Sequence, residues 1–408
     1  MHLDQFDRPI SSRPAGRHAM LAAVFALFAL PAAAQAPGAA AREAKDTGTL
    51  RAVVVLDSSD LSSDFLTMAV ANTGLGRLAG TRAVVLPQRD LTDAMRSTRT
   101  GENDIIIAPP HVAASALIHG YELVASTGTV SKYVLVGRGD MKNLADLKGR
   151  RAYFPQQDSL RSYVARGLLA QEGLTTRALK QVTYGQTSGA GLLTVAGGGA
   201  EATVALESEW LEWSKSQKTP GQVLAVSQAM PGGLSVVVKK TLPANVKAAV
   251  VQWVTSPDFV IPGVARMRPA SDAAPYEYVA SLGIFTPAEL SGVQRVTARQ
   301  AAELADKGAK LVDVRTEKEY AARHARGALN LPYIEKSLKE IDYDAKKDQF
   351  PGLASLNKGD ALVFFCNGAE CWKSFKASKA ARDAGYSRVY WLRGGMPEWI
   401  AQGLPTQP

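Results

Sequence analysis

Cysteine is nearly absent from the chain: two residues in 408, which excludes a disulfide scaffold. Both, Cys366 and Cys371, lie close together near the C-terminus. Aromatic residues make up only 7%, and no basic run is interleaved with them. The net charge of +9 is therefore scattered, which fits attraction for small anions; no nucleic-acid partner is expected. The five histidines are dispersed and no Cys/His spacing suits zinc, so neither a metal nor a cofactor is expected. A phosphate-binding P-loop and a dinucleotide fingerprint are both missing. Beyond residue 34 no stretch reaches the roughly 18 apolar residues of a membrane span. What is there is globular in composition, 46% hydrophobic and 21% charged, and long enough for two domains.

The first segment reads as an address. Arg8, Arg13, Arg17 and His18 precede the apolar run AMLAAVFALFALPAAA, which ends in small residues before Gln35. A basic lead, a short hydrophobic stretch and a small-residue exit are the parts of a secretory signal. The expectation is a signal peptide over 1–34, a flexible lead-in over 35–48, and a periplasmic mature protein with no membrane span.

From Leu50 onward short apolar strands alternate with helical stretches. Strands are predicted at 50–56, 81–86, 103–110, 133–138, 182–185, 202–206 and 234–240. Helices are predicted at 65–71, 91–99, 159–172 and 245–256. Regular alternation of this kind argues for α/β layers with parallel strands. The phrases GENDIIIAPPHVAASALIHGYELVAS, NLADLKGRRAYF, LAQEGL and PGGLSVVVKKTLP resemble the periplasmic solute-binding proteins of the phosphate/phosphonate ABC-transporter type, over about 49–285. The resemblance implies a two-lobed periplasmic-binding-protein fold that closes over a small anion, with an ABC permease as partner.

Oxyanions are held by backbone N–H groups at helix N-termini, and the turn at 157–162 is the candidate for that task. Where the family has hydroxyl-rich Ser-Thr-Ser-Gly, this chain keeps Ser159 and carries Leu160, Arg161 and Ser162, a departure that points away from phosphonate itself. Arg161 would supply charge in place of hydroxyls. Asp57, Ser58 and Ser59 after the first strand, Pro110 and His111 after the third, and Tyr184 and Glu207 at later strand ends complete the cleft candidates, because open α/β sheets bind ligands beyond their strand ends. Glu207 would repel an anion unless it were paired.

Further on, VTARQAAELADKGAKLVDVRTEKEYAARHARGALNLP and ALVFFCNGAECWKSFKASKAARDAGYSRVYWLRGGMPEWIAQGLP resemble a rhodanese domain over about 293–408. The resemblance implies a small α/β domain with a parallel sheet and a sulfurtransferase activity. Cys366 ends an apolar strand and is the expected nucleophile. Asn367, Gly368, Ala369, Glu370, Cys371, Trp372 and Lys373 form the loop and helix start around it. Main-chain amides and the helix dipole would lower the thiol below its free pKa of ~8.5. The implied reaction moves a sulfane sulfur from a donor such as thiosulfate through a Cys366 persulfide. Asp313 and Arg315 are expected to orient the loop, and His324 to serve a turn. Cys371 departs from the family's usual Arg, Ser or Thr; a second thiol there would resolve an oxidised Cys366 as a disulfide and call for a periplasmic thiol reductase. Three readings remain open: a sulfurtransferase joined to a solute clamp, a binding or sensing protein with a docking rhodanese module, and a thiol–disulfide partner using both cysteines.

Overall fold

The computed structural model describes residues 48–57, 74–88, 90–185, 189–218, 221–261 and 263–408. By its contacts the chain divides into residues 1–46 and 47–408, and everything described lies in the second unit. The expected signal, nearly all of the lead-in, the helix at 65–71 and both Ser58 and Ser59 lie outside the described residues.

The first lobe is built from β1 (Thr49–Val55), α1 (Leu75–Ala79), β2 (Arg82–Gln88), α2 (Leu91–Thr100), β3 (Ile105–Ala108), α3 (Pro110–Ile118) and β4 (Tyr121–Ser126). Asp90 caps α2 by accepting from the amides of Thr92 and Asp93, and Pro110 starts α3 at the position where a missing N–H costs nothing. The chain crosses through β5 (Val130–Ser131) into a second lobe of β6 (Tyr133–Gly137), β7 (Arg151–Pro155), α4 (Leu160–Gln171), β8 (Gln181–Gly185), α5 (Gly189–Ala196), β9 (Ala202–Leu206), α6 (Glu207–Lys215) and β10 (Gln222–Val226). It returns through β11 (Met230–Pro231) to β12 (Ser235–Lys239), α7 (Ala244–Thr255), β13 (Arg268–Pro269) and α8 (Pro275–Ser281). Strand order is β13-β4-β12-β3-β1-β2 in one lobe and β10-β6-β9-β7-β8 in the other.

Parallel pairing holds for β1 with β2 and β3, and for β7 with β8 and β9. It fails for β12, which runs against β3 and β4, and for β6, which runs against β9 and β10. The expectation of parallel strands is corrected on this point: the chain passes between the lobes twice, through the antiparallel pair β5–β11, and β12 re-enters the first sheet reversed. Alternation of strand and helix does not encode such a crossing.

The C-terminal part comprises β14 (Gln294–Arg295), α9 (Ala298–Asp306), β15 (Lys310–Asp313), α10 (Glu317–Ala322), β16 (His324–Ala325), β17 (Leu329–Asn330), β18 (Ala361–Phe365), α11 (Trp372–Asp383), β19 (Arg388–Leu392), α12 (Gly395–Ala401) and β20 (Thr406–Gln407). Its sheet, β14-β19-β18-β15-β17, is parallel at every pairing. Strand β18 is central and buried on both faces. Leu362 and Phe364 enter one core, Val363 and Phe365 the other, so the strand reads as an unbroken apolar run. It ends directly at Cys366.

One buried cation ties the long connection after β17 to α11. Lys376 is fully buried; its Nζ donates to Ser337 Oγ at 2.9 Å, lies 2.7 Å from Glu335 and 3.7 Å from Asp348, and faces the Tyr343 ring at 4.8 Å. That connection carries Lys339 and Glu340, which meet the second lobe. Lys376→Met leaves two carboxylates without their cation and is expected to cost about 3 kcal/mol of stability. Urea unfolding checks this; an unchanged midpoint would contradict it.

Candidate functional site: the cysteine loop beneath the first lobe

Cys366 and Cys371 are joined by a disulfide, with their Cα atoms 6.1 Å apart. The loop between them turns at Gly368, whose φ of +108° disfavours any side chain, and Cys371 N donates to Gly368 O at 3.0 Å. Behind it the Gly394-Gly395 turn presses on the same backbone: Met396 N donates to Cys366 O at 2.8 Å, and a Cβ on Gly395 would meet that oxygen. Cys371 is the N-cap of α11, so both sulfurs stand at the positive end of a 12-residue helix dipole. Lys373 lies in the first turn of that helix, half-buried.

Asp313 and Arg315 act on this loop from below. Arg315 grips Asp313 through Nε at 2.9 Å and Nη2 at 2.6 Å, and its Nη1 reaches Asn367 Oδ1 at 3.4 Å. Asn367 Nδ2 in turn donates to Glu319 Oε1 at 2.6 Å. This chain of contacts bears on Asn367, the residue next to Cys366. His324 stacks on Tyr320 at 3.7 Å, with Nδ1 at 3.0 Å from Tyr320 O, which is a structural position in the turn.

The loop is covered from above. Cys366 is 2% exposed and Cys371 7%. Glu370, also buried, is the point of contact: its Oε2 accepts from Arg99 Nη1 at 3.0 Å and Ser115 Oγ at 2.8 Å, while His119 Nε2 stands 3.4 Å from Oε1. Burial pushes the Glu370 carboxyl up, but His119, Arg99 and Ser115 outweigh it and hold the carboxyl below its ordinary range. A carboxylate lowered in this way contributes its stabilisation above the usual glutamate range and loses it only as the pH falls through the lowered value, so the contact is fully formed at neutral pH. Ala369 O accepts from both the amide and hydroxyl of Thr286 in the connecting segment, and Arg393 holds Thr286 with bonds of 2.7 and 3.1 Å.

A second contact joins the C-terminal part to the other lobe. Lys339 Nζ donates to Asp158 Oδ1 at 2.9 Å, and Glu340 accepts from Thr176 Oγ1 at 2.8 and 2.9 Å. Arg177 pairs with Asp342 at 3.0 Å. Asp158 also accepts from the Thr92 hydroxyl of the first lobe, so one carboxylate binds three parts of the molecule. None of Arg99, Ser115, His119, Thr286 or Lys339 stands among the candidate site residues of the sequence, and their partners lie up to 271 residues away. Glu370 and Asp158 fall inside segments that mark a site, the cysteine loop and the turn at 157–162.

In the cleft, the two lobes meet at the expected turn. Ser159 caps α4, accepting from Ser162 N at 3.3 Å, and Leu160 N donates to Asp57 Oδ2 of the first lobe at 3.2 Å. A carboxylate of the chain itself thus sits at the helix N-terminus. His111, fully buried behind Pro110, lies 5.7 Å from the Tyr163 ring across the cleft. Arg161 is buried and engaged by Glu209 through two bonds of 2.7 and 2.9 Å. Tyr184 packs edge-on to Phe154 at 6.4 Å, and burial pushes its hydroxyl up to about 12. Glu207 opens α6, its amide donating to Lys132 O. The structure therefore brings Asp57, His111 and Ser159 to the lobe boundary and pairs Arg161 with Glu209.

Residues 67–256 match the family model described as ABC transporter, phosphonate, periplasmic substrate-binding protein, and residues 297–402 match the rhodanese-like domain. The HTH-type transcriptional regulator Rv0324 of Mycobacterium tuberculosis is 38% identical over 96 residues, 24% of this chain and 36% of that protein, so the chain spans about a third of that relative's length. Thiosulfate sulfurtransferase 16, chloroplastic, of Arabidopsis thaliana is 31% identical over 102 residues, 24% of this chain and 81% of that protein. Among solved structures, PhnD1 from Prochlorococcus marinus in complex with methylphosphonate superposes with a TM-score of 0.44 at 14% identity, covering 58% of this chain and 98% of that one. Through its C-terminal part the chain belongs to the rhodanese-like domain family, joined to an N-terminal part that matches the phosphonate-type periplasmic substrate-binding model.

Proposed function

We propose that this protein is an exported sulfurtransferase whose reactive cysteine is uncovered by movement of a solute-binding clamp. In this reading residues 1–34 are a signal peptide, 35–48 a lead-in, 49–285 the two-lobed clamp and 293–408 the rhodanese domain. The observation that carries it is the position of Cys366: at the carboxyl end of the central parallel strand, in a short loop that runs into the N-terminus of α11. A thiolate there is favoured by the helix dipole.

The cycle begins with reduction. A reductant of the thiol class opens the Cys366–Cys371 disulfide, two thiols becoming one disulfide on the reductant side. The Cys366 thiolate attacks the sulfane sulfur of a donor such as thiosulfate. An S–S bond forms to Cys366, the donor's S–S bond breaks, and sulfite leaves with the electron pair. A nucleophilic acceptor, cyanide in an assay or a thiol in the cell, then takes the outer sulfur and returns Cys366 as thiolate.

Two contacts support coupling to the clamp. The rhodanese domain touches the first lobe through Glu370 and the second through Lys339, Glu340 and Asp342. Lobes of this architecture rotate about a hinge, and one rigid domain cannot follow both. Asp57 occupies the α4 N-terminus that would receive a small anion, so an anionic solute must displace it, and this links solute occupancy to the lobe boundary. An ABC permease is the expected membrane partner of the clamp.

The disulfide itself favours one second reading, a thiol–disulfide exchange protein using both cysteines. Thiosulfate cyanolysis separates the two. The oxidised wild type is expected to be inactive, the reduced protein active, Cys366→Ser inactive under all conditions, and Cys371→Ser active without reductant. Loss of turnover in Cys371→Ser would support the exchange reading, and failure of every form to turn over would end the sulfurtransferase proposal.

Removing the cover is expected to expose the loop. Arg99→Ala deletes one charge-assisted hydrogen bond to Glu370, and hydrogen bonds to charged groups are worth about 1.5–3 kcal/mol. Reduction of the Cys366–Cys371 disulfide by dithiothreitol should then quicken ~10-fold, one decade per 1.4 kcal/mol. An unchanged rate would mean that Glu370 does not control access.

A further inference from the structure

A cavity of about 460 Å³ lies between the second lobe, the connecting segment and the rhodanese domain, distinct from the cleft between the lobes. Its lining joins Arg166 of α4 to Trp372, the residue after Cys371. Both side chains are more than nine-tenths buried. Arg166 donates through Nη2 to Gln157 O and stacks on Tyr163 at 4.5 Å, but its Nη1 has no acceptor among the described residues. Trp372 Nε1 likewise has none. Buried donors without acceptors cost free energy, and a donor facing a cavity is satisfied by water or by an acceptor on a ligand, so two such donors on one wall mark where an acceptor group would be received. The remaining wall is largely apolar, with Leu174, Leu282, Phe285 and Ile341 prominent.

Charge limits what fits. Lys339 also lines the cavity but is committed to Asp158, and Glu340 to Thr176. Burial raises the Glu340 carboxyl above its ordinary value, which weakens the repulsion it offers an anion. The Nη1 of Arg166 is the cationic donor on this wall left without an acceptor among the described residues, so the site admits at most one negative charge, set against that guanidinium. The volume falls in the range of roughly 300–1,000 Å³ of small-molecule sites, far above the need of an inorganic ion.

We infer that this interdomain cavity is a binding site for a small organic acid, its anionic head accepting from Arg166 and Trp372 and its apolar body lying against Leu174, Leu282 and Phe285. Because three parts of the molecule make the wall, the ligand binds only the docked arrangement and stabilises it. The site does not depend on sulfur transfer, and its test reads binding alone.

Calorimetric titration of the full chain with benzoate and with octanoate, against sulfate as inorganic control, tests it. At least one of the two acids is expected to bind and sulfate is not. Trp372→Phe removes one donor and keeps an aromatic ring, and should weaken binding ~10-fold. Ile341→Glu places a like charge at the mouth of the cavity, where Ile341 is 60% exposed, and should weaken binding at least as much without disturbing the fold. Failure of both acids to bind the wild type overturns the inference, as does full-strength binding by both variants. Binding of sulfate as tight as that of the acids overturns the organic-acid class.

Discussion

A single carboxylate, that of Glu370, ties the cysteine loop to the first lobe. It lies within the loop, four residues after the expected nucleophile, and is held by Arg99, Ser115 and His119 of another domain. A buried ion pair of this kind is weak glue, because the cost of stripping water from both charges offsets most of their attraction. Cutting away one partner is costly, since it strands the other. Separating the domains strands neither: both faces rehydrate together. The same contact that tolerates no deletion can therefore open as a unit, and that property suits a cover better than a weld.

Asp158 plays the corresponding part on the other side. It sits at the turn before α4 and is bound by Thr92 of the first lobe and Lys339 of the rhodanese domain. Burial raises its carboxyl, but Lys339 and Thr92 outweigh this and keep it ionised. A charge shared among three bodies makes their positions interdependent without any continuous wire of residues between them. Ligation events at the lobe boundary and at the interdomain cavity thus act on one arrangement. Under the proposed readings, a cleft solute that moves the lobes opposes docking, whereas an occupant of the cavity favours it.

Much of this was legible in the primary structure wherever a local rule operated. Strand β18 shows as five apolar residues ending at a cysteine, and the Gly394-Gly395 turn shows as paired glycines, because a position that presses on a neighbouring backbone excludes side chains. The cap of α4 reads from Ser159 for a similar reason: a hydroxyl before a helical run satisfies amides the helix cannot. Strand direction was not legible. Whether β12 runs with or against β3 depends on the double passage between lobes, which leaves no periodicity of its own. Nor was the pairing of Arg161 with Glu209: the acid lies 48 residues on, and tertiary packing, not any local pattern, brings it to the helix start. The cover over Glu370 was hidden most completely, since an acidic residue in an exposed loop and one under another domain are spelled the same way.

The disulfide and the cover have complementary effects on a reactive sulfur. Joined to Cys371, the Cys366 sulfur is withheld from oxidation beyond the reversible step, from sulfenic acid to the sulfinic and sulfonic forms that cannot be recovered. Buried at 2% exposure, it is also withheld from a thiol reductant, which must reach a sulfur atom along the S–S axis. In the proposed function, reduction therefore requires the domains to part first, and activation acquires an order: undocking, then reduction, then sulfur uptake. A cysteine covered but unlinked would become reactive the moment the lobe moved, to any oxidant present. One linked but uncovered would be reduced regardless of the clamp. Under the proposed function, having both in place lets a mobile domain control a covalent event while the resting sulfur stays recoverable.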